Sequence, residues 1–420
     1  SGGDQAAIKC GSLTISSQAT VEVDLGFESQ FVLLKRSDDA SNWFMFDTMR
    51  GMNVIAFNWI FANEPNSEEA KTYQGVYATS TGFGFNPASN GQFTDGTYVY
   101  MAIRRPNKEP SAATEVFDIK KSTDDGGSGI LSSDTVTADL IWSKGLSGQN
   151  GIAISRLSGN KYQTLSTDSA EQDSSTWWEL DEQTGFKHTG YWSSNPHIDY
   201  TFKRAPVFLD VVAYKGSPTG PQNVIHNLTV KPEFMMVKDL DRVTNWVCYH
   251  KTLTASHFIR MNTNQDPSSS GGLAWDTTEP TSTQFTVGNN GWDTNYNQSG
   301  TSSGGSDYIA YLFATLPGIS KVGSYTGTGS DINVDCGFTS GARFVMVKRA
   351  ENSQTGHWYV WDTVRGIASG NDPYFYMDTN NSEYTSDDYI DPHSAGFTIT
   401  SSAPADLNTN GHTYIFIAFA

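Results

Sequence analysis

The chain has 420 residues, which is too long for one ordinary hydrophobic core, so several domains are expected. Charged residues make up only 17% of the sequence, which argues against long solvated helices and coiled coils. The formal net charge of −18 makes nucleic acid and anionic membranes poor partners, because most of the surface would repel phosphate. Three cysteines are too few for a disulfide framework, and no apolar run approaches the length of a membrane-spanning helix.

The residue types favour strands and turns. Apolar residues account for 37% and aromatic residues for 13% of the sequence, and Gly, Ser, Thr and Asn are abundant. Aromatic and β-branched residues fill sheets, whereas Gly and Asn shape turns. The chain begins Ser-Gly-Gly without a methionine, so we expect a processed product or the C-terminal part of a longer one. The last predicted strand, Thr413–Phe419, resembles a natural end.

Residues 1–105 form the first predicted module. The segment Phe31–Lys35 is a predicted strand, and Trp43–Asp47 follows it after a polar turn. A third strand, Thr97–Ile103, closes the module. Short strands at spacings of roughly 8 to 15 residues, with turn residues between them, are typical of a β-sandwich or barrel.

Residues 106–135 are predicted to be a linker, because Pro, Lys and a Gly-rich acidic run give this segment little apolar surface. Residues 136–210 form the second module, which diverges most from the others. Its first signature strand is Asp139–Lys144, and its second is Gly151–Gly159. Gly151 stands where the other modules have tryptophan.

Residues 211–316 and 317–420 form the third and fourth modules. The segment Phe31–Lys35 of the first module recurs in them as Phe234–Lys238 and Phe344–Lys348. One lysine of each module recurs at intervals of roughly 100 residues, the size of one β-sandwich: Lys35, Lys144, Lys238 and Lys348.

These patterns predict an all-β protein of tandem antiparallel β-sandwich modules. The signature strands are apolar on both faces, so they should be central and covered on both sides. Large strands and long Gly/Asn loops favour a jelly roll of the lectin or laminin-G type over a compact immunoglobulin type. We expect Trp43, Trp246 and Trp358, which recur at the heart of the repeat, to lie in the core.

We interpret the recurring polar residues as structural. The recurring lysines lie at the end of the first signature strand, and Asp47 and Asp362 lie near the end of the second. A Lys–Asp or Lys–backbone contact would therefore fix the hairpin. Arg50-Gly51 and Arg365-Gly366 follow, with glycine for a positive-φ turn and arginine for a surface pair or ring stacking. Catalysis would need one special copy, whereas these residues are repeated.

One segment resembles the paired-carboxylate strand of jelly-roll glucanases. In that pattern, Glu22, Asp24 and Glu28 would supply the nucleophile, the helper and the acid of a retaining hydrolase. The corresponding segment of the fourth module, Asn333–Thr339, has neither glutamate. Gly26-Phe27 is a predicted turn, which would take Glu28 off the strand.

Aromatic residues found only in the second module are the predicted ligand-binding residues. An aromatic face complements the apolar face of a pyranose, so these side chains are candidates for stacking on a glycan. Packing between modules is the alternative role. The four candidates are Trp177, Trp178, Tyr191 and Trp192.

No cofactor is predicted, and Ca²⁺ is the one metal for which the sequence offers candidate ligands. Acidic turns supply carboxylate oxygens, although no complete loop such as an EF-hand is present: Asp38-Asp39, Asp124-Asp125 and Asp387-Asp388. The eight histidines form no His-x-x-x-His pair, and no Cys/His spacing indicates structural zinc.

Several ordered phrases resemble a repeat family of marine bacteriophages, cyanophages and pelagiphages among them, found in tail-fibre or virion structural proteins. The phrases extend over nearly the whole chain: Phe31–Asp38, Asn42–Gly51, Phe208–Tyr214, Ile319–Gly327 and Gly396–Ala405. The resemblance implies a virion-associated role as a tail fibre or surface fibre. It transfers no catalytic residues, and the second module departs most from its pattern.

The sequence thus leads to three hypotheses. The first is a non-enzymatic structural protein of a virion, exposed at its surface, that contributes to host attachment through reach and valency. The second is a glycan-binding adhesin or extracellular filament subunit, and the third is a jelly-roll polysaccharide hydrolase. Expected partners are other virion proteins or further copies of the chain in a homo-oligomer, together with a host-surface glycan, and no membrane insertion is expected.

Overall fold

A computed structural model describes most of the chain. The described residues are 7–52, 56–72, 75–87, 93–122, 130–131, 135–159, 161–174, 177–180, 182, 184–188, 191–192, 195–217, 219–288, 293–295, 305–351 and 354–420. Their strands form antiparallel sheets, which confirms the predicted all-β class of tandem β-sandwich modules.

The first compact unit holds module 1. A six-stranded sheet, β1-β9-β3-β4-β5-β6, and a three-stranded sheet, β2-β8-β7, enclose its core. The strands are β1 Ile8–Ile15, β2 Val21–Asp24, β3 Ser29–Arg36, β4 Trp43–Asp47, β5 Ala56–Phe61, β6 Glu69–Thr72, β7 Gly75–Thr79, β8 Gly82–Asn86 and β9 Gly96–Arg104.

The second compact unit holds modules 2 to 4, apart from residues 155–159 and 180–182, which group with the first. In module 2 the sheets are β10-β18-β12-β13-β14-β15 and β11-β17-β16. The 3₁₀ helices Ala113–Glu115 and Arg156–Ser158 accompany the strands β10 Phe117–Ser122, β11 Ile130–Leu131, β12 Leu140–Gly145, β13 Gly151–Ser155, β14 Lys161–Thr164, β15 Gln172–Asp173, β16 Trp178–Glu179, β17 Lys187–His188 and β18 His197–Phe202.

Module 3 repeats this arrangement with the sheets β19-β26-β21-β22-β23-β24 and β20-β25. Its apolar core lies between them. The strands are β19 Leu209–Lys215, β20 Gln222–Ile225, β21 Phe234–Asp239, β22 Val247–His250, β23 His257–Arg260, β24 Ser268–Ser269, β25 Gln284–Val287 and β26 Asp307–Phe313.

Module 4 has the sheets β27-β34-β29-β30-β31 and β28-β33-β32, again with an apolar core between them. The short helix α1, Ala405–Asn408, precedes the last strand. The strands are β27 Ser320–Thr326, β28 Ile332–Asp335, β29 Phe344–Arg349, β30 Tyr359–Asp362, β31 Phe375–Tyr376, β32 Ile390–His393, β33 Gly396–Ile399 and β34 Thr413–Phe419.

The predicted linker, 106–135, differs from the structure in its middle. Residues 117–122 form β10, which pairs with β18 along its full length. This strand takes the edge position that β19 and β27 take in modules 3 and 4. Phe117 is fully buried. Two lysines and a serine follow Ile119, so the sequence pattern that predicts a strand is weak here. An edge strand with such a polar end resembles a linker in composition.

The large sheets of modules 2, 3 and 4 pack against one another around a common centre. Phe202, Phe313 and Phe419 end corresponding strands, since each pairs with the first residue of β12 or of its counterpart β21 or β29. Their ring centroids lie 5.8, 5.2 and 5.9 Å apart, so the three rings form a nearly equilateral triangle. The second unit is therefore a pseudo-threefold assembly within one chain.

A second layer of side chains lines this centre. The residues two positions along the three signature strands, Trp142, Met236 and Met346, converge there. Three further side chains complete the lining: Leu165, Met261 and Met377. The backbone amide of each donates to the carbonyl oxygen of the residue at the tryptophan position of its own module. The six side chains leave no room for a water molecule. Dense apolar packing at this centre supplies a core that no single module has.

Hydrogen bonds connect the three modules in one direction around the centre. Trp246 of module 3 donates through Nε1 to the carbonyl oxygen of Thr164 in module 2, at 2.8 Å. Trp358 of module 4 makes the same bond to Arg260 of module 3, also at 2.8 Å. Module 2 has Gly151 at this position, and a Cβ there would lie 3.1 Å from the sulfur of Met377.

The repeated lysines donate to backbone carbonyls, and the alternative Lys–Asp contact does not form in these hairpins. Lys144 reaches the carbonyl oxygen of Thr379 in module 4 at 2.6 Å, and Lys348 reaches that of Thr263 in module 3 at 2.9 Å. In the two hairpins that have the aspartate, it pairs with the opposite end of the strand, as Phe31 with Asp47 and Phe344 with Asp362. The buried Lys348 has its pKa lowered to about 8, because burial disfavours its charged form.

Among the described residues, no helix is long and apolar enough to cross a membrane. The three cysteines are all free; Cys10 is exposed, whereas Cys248 and Cys336 are buried. As expected, the Arg-Gly pairs use glycine at positive φ, 104° at Gly51 and 129° at Gly366.

Candidate metal-binding site

Module 2 has polar side chains where the other modules have a sandwich core. The strand register places Ser143 at the position of Val347, Asp199 at that of Phe416 and His197 at that of Tyr414. All three polar residues are at most 1% exposed. Buried polar side chains at core positions cost stability unless their charges and hydrogen bonds are compensated. This departure from the repeat marks a candidate functional site.

Two adjacent elements bring the site together. His197 and Asp199 alternate along β18 and therefore point to the same face of the strand. His188, which is fully buried, lies at the end of β17 in the smaller sheet. The two histidine Nε2 atoms are 3.1 Å apart, and Asp199 Oδ2 lies 3.5 Å from His197 Nε2 and 3.9 Å from His188 Nε2.

Neighbouring groups hold the cluster in position. Ser143 donates to Asp199 Oδ1 at 2.5 Å, and Trp192 Nε1 donates to Ser143 Oγ at 3.1 Å. The Trp192 ring stacks on His197 with centroids 5.6 Å apart. His197 Nδ1 lies 3.2 Å from the carbonyl oxygen of Asn195. A donor to the carboxylate and a carbonyl beside the imidazole are the outer contacts that orient metal ligands in proteins.

The donor set consists of two imidazole nitrogens and one carboxylate oxygen. Such a set suits Zn²⁺ and other first-row transition metals, whereas Ca²⁺ takes six or more oxygen ligands. His188, His197 and Asp199 are the residues that could hold an ion, and they are the one such group of three or more found in the described part of the chain. Their burial leaves no space for a substrate, so a structural role fits better than catalysis.

This site was not predicted from the sequence. The His-x-x-x-His and Cys/His spacings that indicate metal sites are helical or loop signatures. On a strand, ligands of one face are two residues apart, as His197 and Asp199 are. The signal available was the polar His-x-Asp at positions where modules 3 and 4 carry Tyr-x-Ala and Tyr-x-Phe. The partner His188, from another strand, has no sequence signature.

The four predicted glycan-stacking residues lie in one aromatic cluster beside this site. Trp178 and Trp192 are 2% and 1% exposed, so they have no ring face available to a sugar. Trp177 and Tyr191 are half-buried, with ring centroids 5.1 Å apart. Burial raises the pKa of Tyr191 well above its ordinary value. Glycan stacking through Trp177 and Tyr191 remains a prediction.

Only two of the three carboxylates of the glucanase-like segment share a strand face. Glu22 and Asp24 are exposed on β2, and Asp24 accepts a hydrogen bond from the amide of Gly26 in the following turn. Glu28 is 5% exposed and lies 3.6 Å from Arg105. The predicted acid, Glu28, therefore does not join the two exposed carboxylates as retaining hydrolysis needs.

The predicted calcium turns have different environments. Asp38 is ion-paired with Arg36 at 2.6 Å. The pair Asp124-Asp125 lies outside the described residues. Asp387 accepts a hydrogen bond from Tyr374 at 3.1 Å, and Asp388 lies near two further carboxylates, Asp372 and Asp391.

The carboxyl of Asp372 has a raised pKa in these surroundings. Burial, together with the smaller effect of the charges of Asp388 and Asp391, raises its pKa to about 7, against two backbone amides that lower it. The unfolded carboxyl ionises near its ordinary pKa of 3.8. The folded state therefore binds more protons between about pH 4 and 7, so this group lowers stability as pH rises through that window.

We predict that Asp372→Asn stabilises the protein at pH 8 by an amount on the order of 1–3 kcal/mol and changes little at pH 4. The amide keeps an acceptor for the backbone N–H of Ala368, which lies 2.7 Å from Oδ1. Urea unfolding at both pH values measures the difference. Asp331→Asn is the matched control, because exposed Asp331 also accepts one backbone hydrogen bond. An equal gain at both pH values would contradict the assigned cause.

The comparisons with known proteins bear on the repeat and not on the metal-binding cluster. A family model described as Domain of unknown function (DUF7483) matches residues 9–106 and 205–420. No curated protein matches the sequence. The residues between the two matched segments hold nearly all of module 2. The part of the chain with the polar cluster is thus also the part that departs from the family pattern.

Proposed function

Because the chain belongs to the family described as Domain of unknown function (DUF7483), whose model covers most of it, we propose a function from its architecture. The protein is a non-enzymatic structural component of a phage virion, a tail-fibre or surface-fibre appendage that contributes to host attachment. The virion assignment draws on the resemblance of its phrases to marine phage repeat proteins. The structural role draws on the pseudo-threefold packing of modules 2 to 4.

The observation that carries the structural role is how the repeated polar side chains are used. Lys144 and Lys348 donate to main-chain carbonyls of neighbouring modules, as the tryptophans do. Arg365 is fully buried against Asp362. These repeated polar groups pack one module against the next. A scaffold of this kind supplies reach and repeated surfaces.

Imaging of particles tests the virion assignment. Purified particles of the phage that encodes the chain, labelled with a gold-conjugated antibody to module 3, should carry label at tail or surface fibres. Mass spectrometry of the same particles should recover peptides of the chain. Particles without label or peptides would overturn the assignment, and label on filaments of uninfected cells would favour a cellular adhesin.

The second candidate is a glycan-binding adhesin or extracellular filament subunit. The observation in its favour is the half-buried pair Trp177 and Tyr191, which adjoin each other in module 2. A glycan array probed with the wild-type chain and with Trp177→Ala tests this candidate. Binding that the variant loses supports it. The exposed Leu273 of module 3 provides a control outside module 2, since Leu273→Ala should leave glycan binding unchanged.

A polysaccharide hydrolase is the third candidate, and the expected result for it is negative. We predict no release of reducing sugar from marine polysaccharides by the wild-type chain, and no difference between it and Glu22→Gln. Release that the variant abolishes would contradict the non-enzymatic proposal, because Glu22 is the exposed carboxylate of the glucanase-like segment.

A further inference from the structure

We propose that His188, His197 and Asp199 bind one divalent transition metal ion, for which Zn²⁺ is the reference, and that the ion links the two sheets of module 2. The inference rests on the arrangement of these three side chains and not on the virion assignment. It deals with a part of the chain, 107–204, that the family model leaves unmatched.

The distances among the three donor atoms fit a common ligand. Separations of 3.1, 3.5 and 3.9 Å define a triangle whose three corners are equidistant from one central point. That point lies about 2 Å from each atom, which is the length of Zn²⁺–N and Zn²⁺–O bonds. Three unrelated side chains meet this condition together, with the fourth coordination position left for a water molecule.

Hydrogen bonds among the three donor atoms account less well for their spacing. A single proton can lie between the two Nε2 atoms, which face each other at 3.1 Å. Asp199 Oδ2 is 3.5 and 3.9 Å from the histidines, beyond the distance of a good hydrogen bond. The atoms converge on one point instead of forming short pairs. A cation at that point would also compensate the charge of the buried carboxylate.

Module 2 has a physical need for such a link. Its smaller sheet consists of β11, β16 and β17, each two residues long, and the polar cluster replaces apolar residues between the sheets. His188 belongs to the smaller sheet and the other two ligands to the larger one. A metal that joins them would link the two sheets directly, as structural zinc does in small domains.

The metal content of the full chain, expressed without a polyhistidine tag and loaded with Zn²⁺, tests the proposal. We expect one Zn²⁺ per chain after desalting, and a melting temperature that falls by several degrees in EDTA. Co²⁺ in place of Zn²⁺ should give visible d–d absorption. His197→Gln and Asp199→Asn should each lose the metal. His226→Gln should keep it, because buried His226 lies outside the cluster.

The wild-type measurements alone keep the proposal falsifiable if a ligand variant fails to fold. Less than 0.1 Zn²⁺ per chain after loading, with no change of melting temperature in EDTA, would overturn it. Zinc that is retained by both His197→Gln and Asp199→Asn would place the ion elsewhere and would overturn it equally.

A different observation carries a second inference, which concerns the outer face of module 1. In modules 3 and 4 the signature tryptophan is buried, with Trp358 1% exposed, whereas Trp43 of module 1 is 39% exposed. Val99 is 38% exposed, and Phe31, Leu33 and Met45 are only partly buried. Coverage on both sides is the sequence-based expectation for this strand, and module 1 itself covers one side.

Strand register identifies this face with the one that modules 2 to 4 pack together. Phe31 pairs with Asp47 and Ile103, as Phe344 pairs with Asp362 and Phe419. Leu33 accordingly corresponds to Met346, which is fully buried at the pseudo-threefold centre. We define the module 1 face as the exposed and partly buried apolar residues on this side of the sheet: Phe31, Leu33, Trp43, Met45, Val99, Met101 and Ile103.

We infer that module 1 faces from three chains pack around a true threefold axis, as the faces of modules 2, 3 and 4 do within one chain. The occupant is a second and a third copy of this chain. The second unit shows that the repeat supports this packing, because it buries three such faces completely. Exposed apolar faces of this kind mark interaction surfaces. In a closed cyclic trimer every copy buries the same face.

The internal packing also specifies the contacts expected between chains. Trp246 and Trp358 each donate to the carbonyl one residue before Met261 or its counterpart. In module 1 the residue at the position of Met261 is Ala62, whose amide donates to the carbonyl of Trp43. Trp43 Nε1 should therefore donate to the carbonyl oxygen of Phe61 in the neighbouring copy, and the three Leu33 side chains should meet at the axis.

Native mass spectrometry and light scattering of the full chain test the trimer. At about 10–50 µM we expect three times the chain mass, the range in which symmetric oligomers with apolar interfaces persist. Leu33→Asp should give monomers with an unchanged circular dichroism spectrum. Val243→Asp is the control, because Val243 is 70% exposed on module 3 and should leave the trimer intact.

Cross-linking tests the register without relying on a disruptive variant. In a Cys10→Ser background, which removes the exposed thiol, Leu33→Cys should form a disulfide between chains under mild oxidation. Ile225→Cys, 44% exposed on module 3, should not. A wild-type chain that stays monomeric or dimeric at these concentrations would overturn the inference, and so would a trimer that survives Leu33→Asp. Either result would leave the metal proposal and the virion proposal standing.

Discussion

Replacement of Phe419 by alanine will destabilise the second compact unit by about 3–5 kcal/mol, the cost of deleting a fully buried aromatic ring. The ring of Phe419 contacts rings from all three modules of the unit, and their centroids lie 4.8 to 5.9 Å away. These rings belong to Phe117, Phe202, Phe208, Phe313 and Phe344. The cavity would therefore open where the modules meet, and no single module could close it by local repacking.

Equilibrium unfolding in urea, followed by tryptophan fluorescence, measures this loss. Val364→Ala is the control, because Val364 is 44% exposed in the same module and its truncation should cost less than about 0.5 kcal/mol. A loss below about 1 kcal/mol for Phe419→Ala would show that the centre does not hold the modules together. A separate unfolding transition for module 4 in the variant would show that it does.

The modules could be predicted from the sequence because the repeated segments consist of residues that favour β-strands. Apolar strands such as Phe344–Arg349 recur with the same polar ends, and a sandwich needs that pattern. Sequence could not predict what covers the second face of these strands. Met346 and Leu33 are both apolar, yet one lies at the centre of the unit and the other on an open face of the single chain. Burial of that face depends on which modules meet.

Module 2 was the hardest to predict, for a related reason. Polar residues occupy core positions in this module. The alternation of apolar residues that indicates a buried strand face is therefore absent at Ser143, His197 and Asp199. Long-range pairing decides their role, since His188 comes from a strand that is two residues long. Local propensity is weakest where a site is built from separate strands. The expected glycan residues were chosen from the same module because its aromatics are unique to it.

The repeated Asp-x-x-Arg-Gly phrase shows how one motif takes two energetic roles. In module 4, Arg365 and Asp362 are both fully buried in their side chains, with Nε and Oδ2 2.5 Å apart. Tyr200 of module 2 donates to the same carboxylate at 2.7 Å. In module 1, Arg50 and Asp47 form the corresponding pair with 22% and 19% of their side chains exposed. The same chemistry is thus desolvated in one copy and partly solvated in the other.

We predict that Arg365→Met costs about 3–5 kcal/mol, because it leaves the carboxylate of Asp362 buried without its cation. Arg50→Met should cost at most about 1 kcal/mol at concentrations where the chain is monomeric. Urea unfolding of the two variants measures the contrast. It compares the same residue type in the same motif, so differences in helix or strand propensity do not contribute.

The double variant Arg365→Met with Asp362→Leu separates the desolvation cost from the loss of packing. If the buried carboxylate is the main penalty, removal of both charges should recover at least half of the stability that Arg365→Met loses. The ring of Phe375, which lies 4.4 Å from the Arg365 guanidinium, would then face an apolar side chain. A double variant no more stable than the single one would instead assign the loss to the arginine's packing and its bonds to Val360 and Glu383. That outcome would make the arginine a link between strands and not the counter-charge of a buried aspartate.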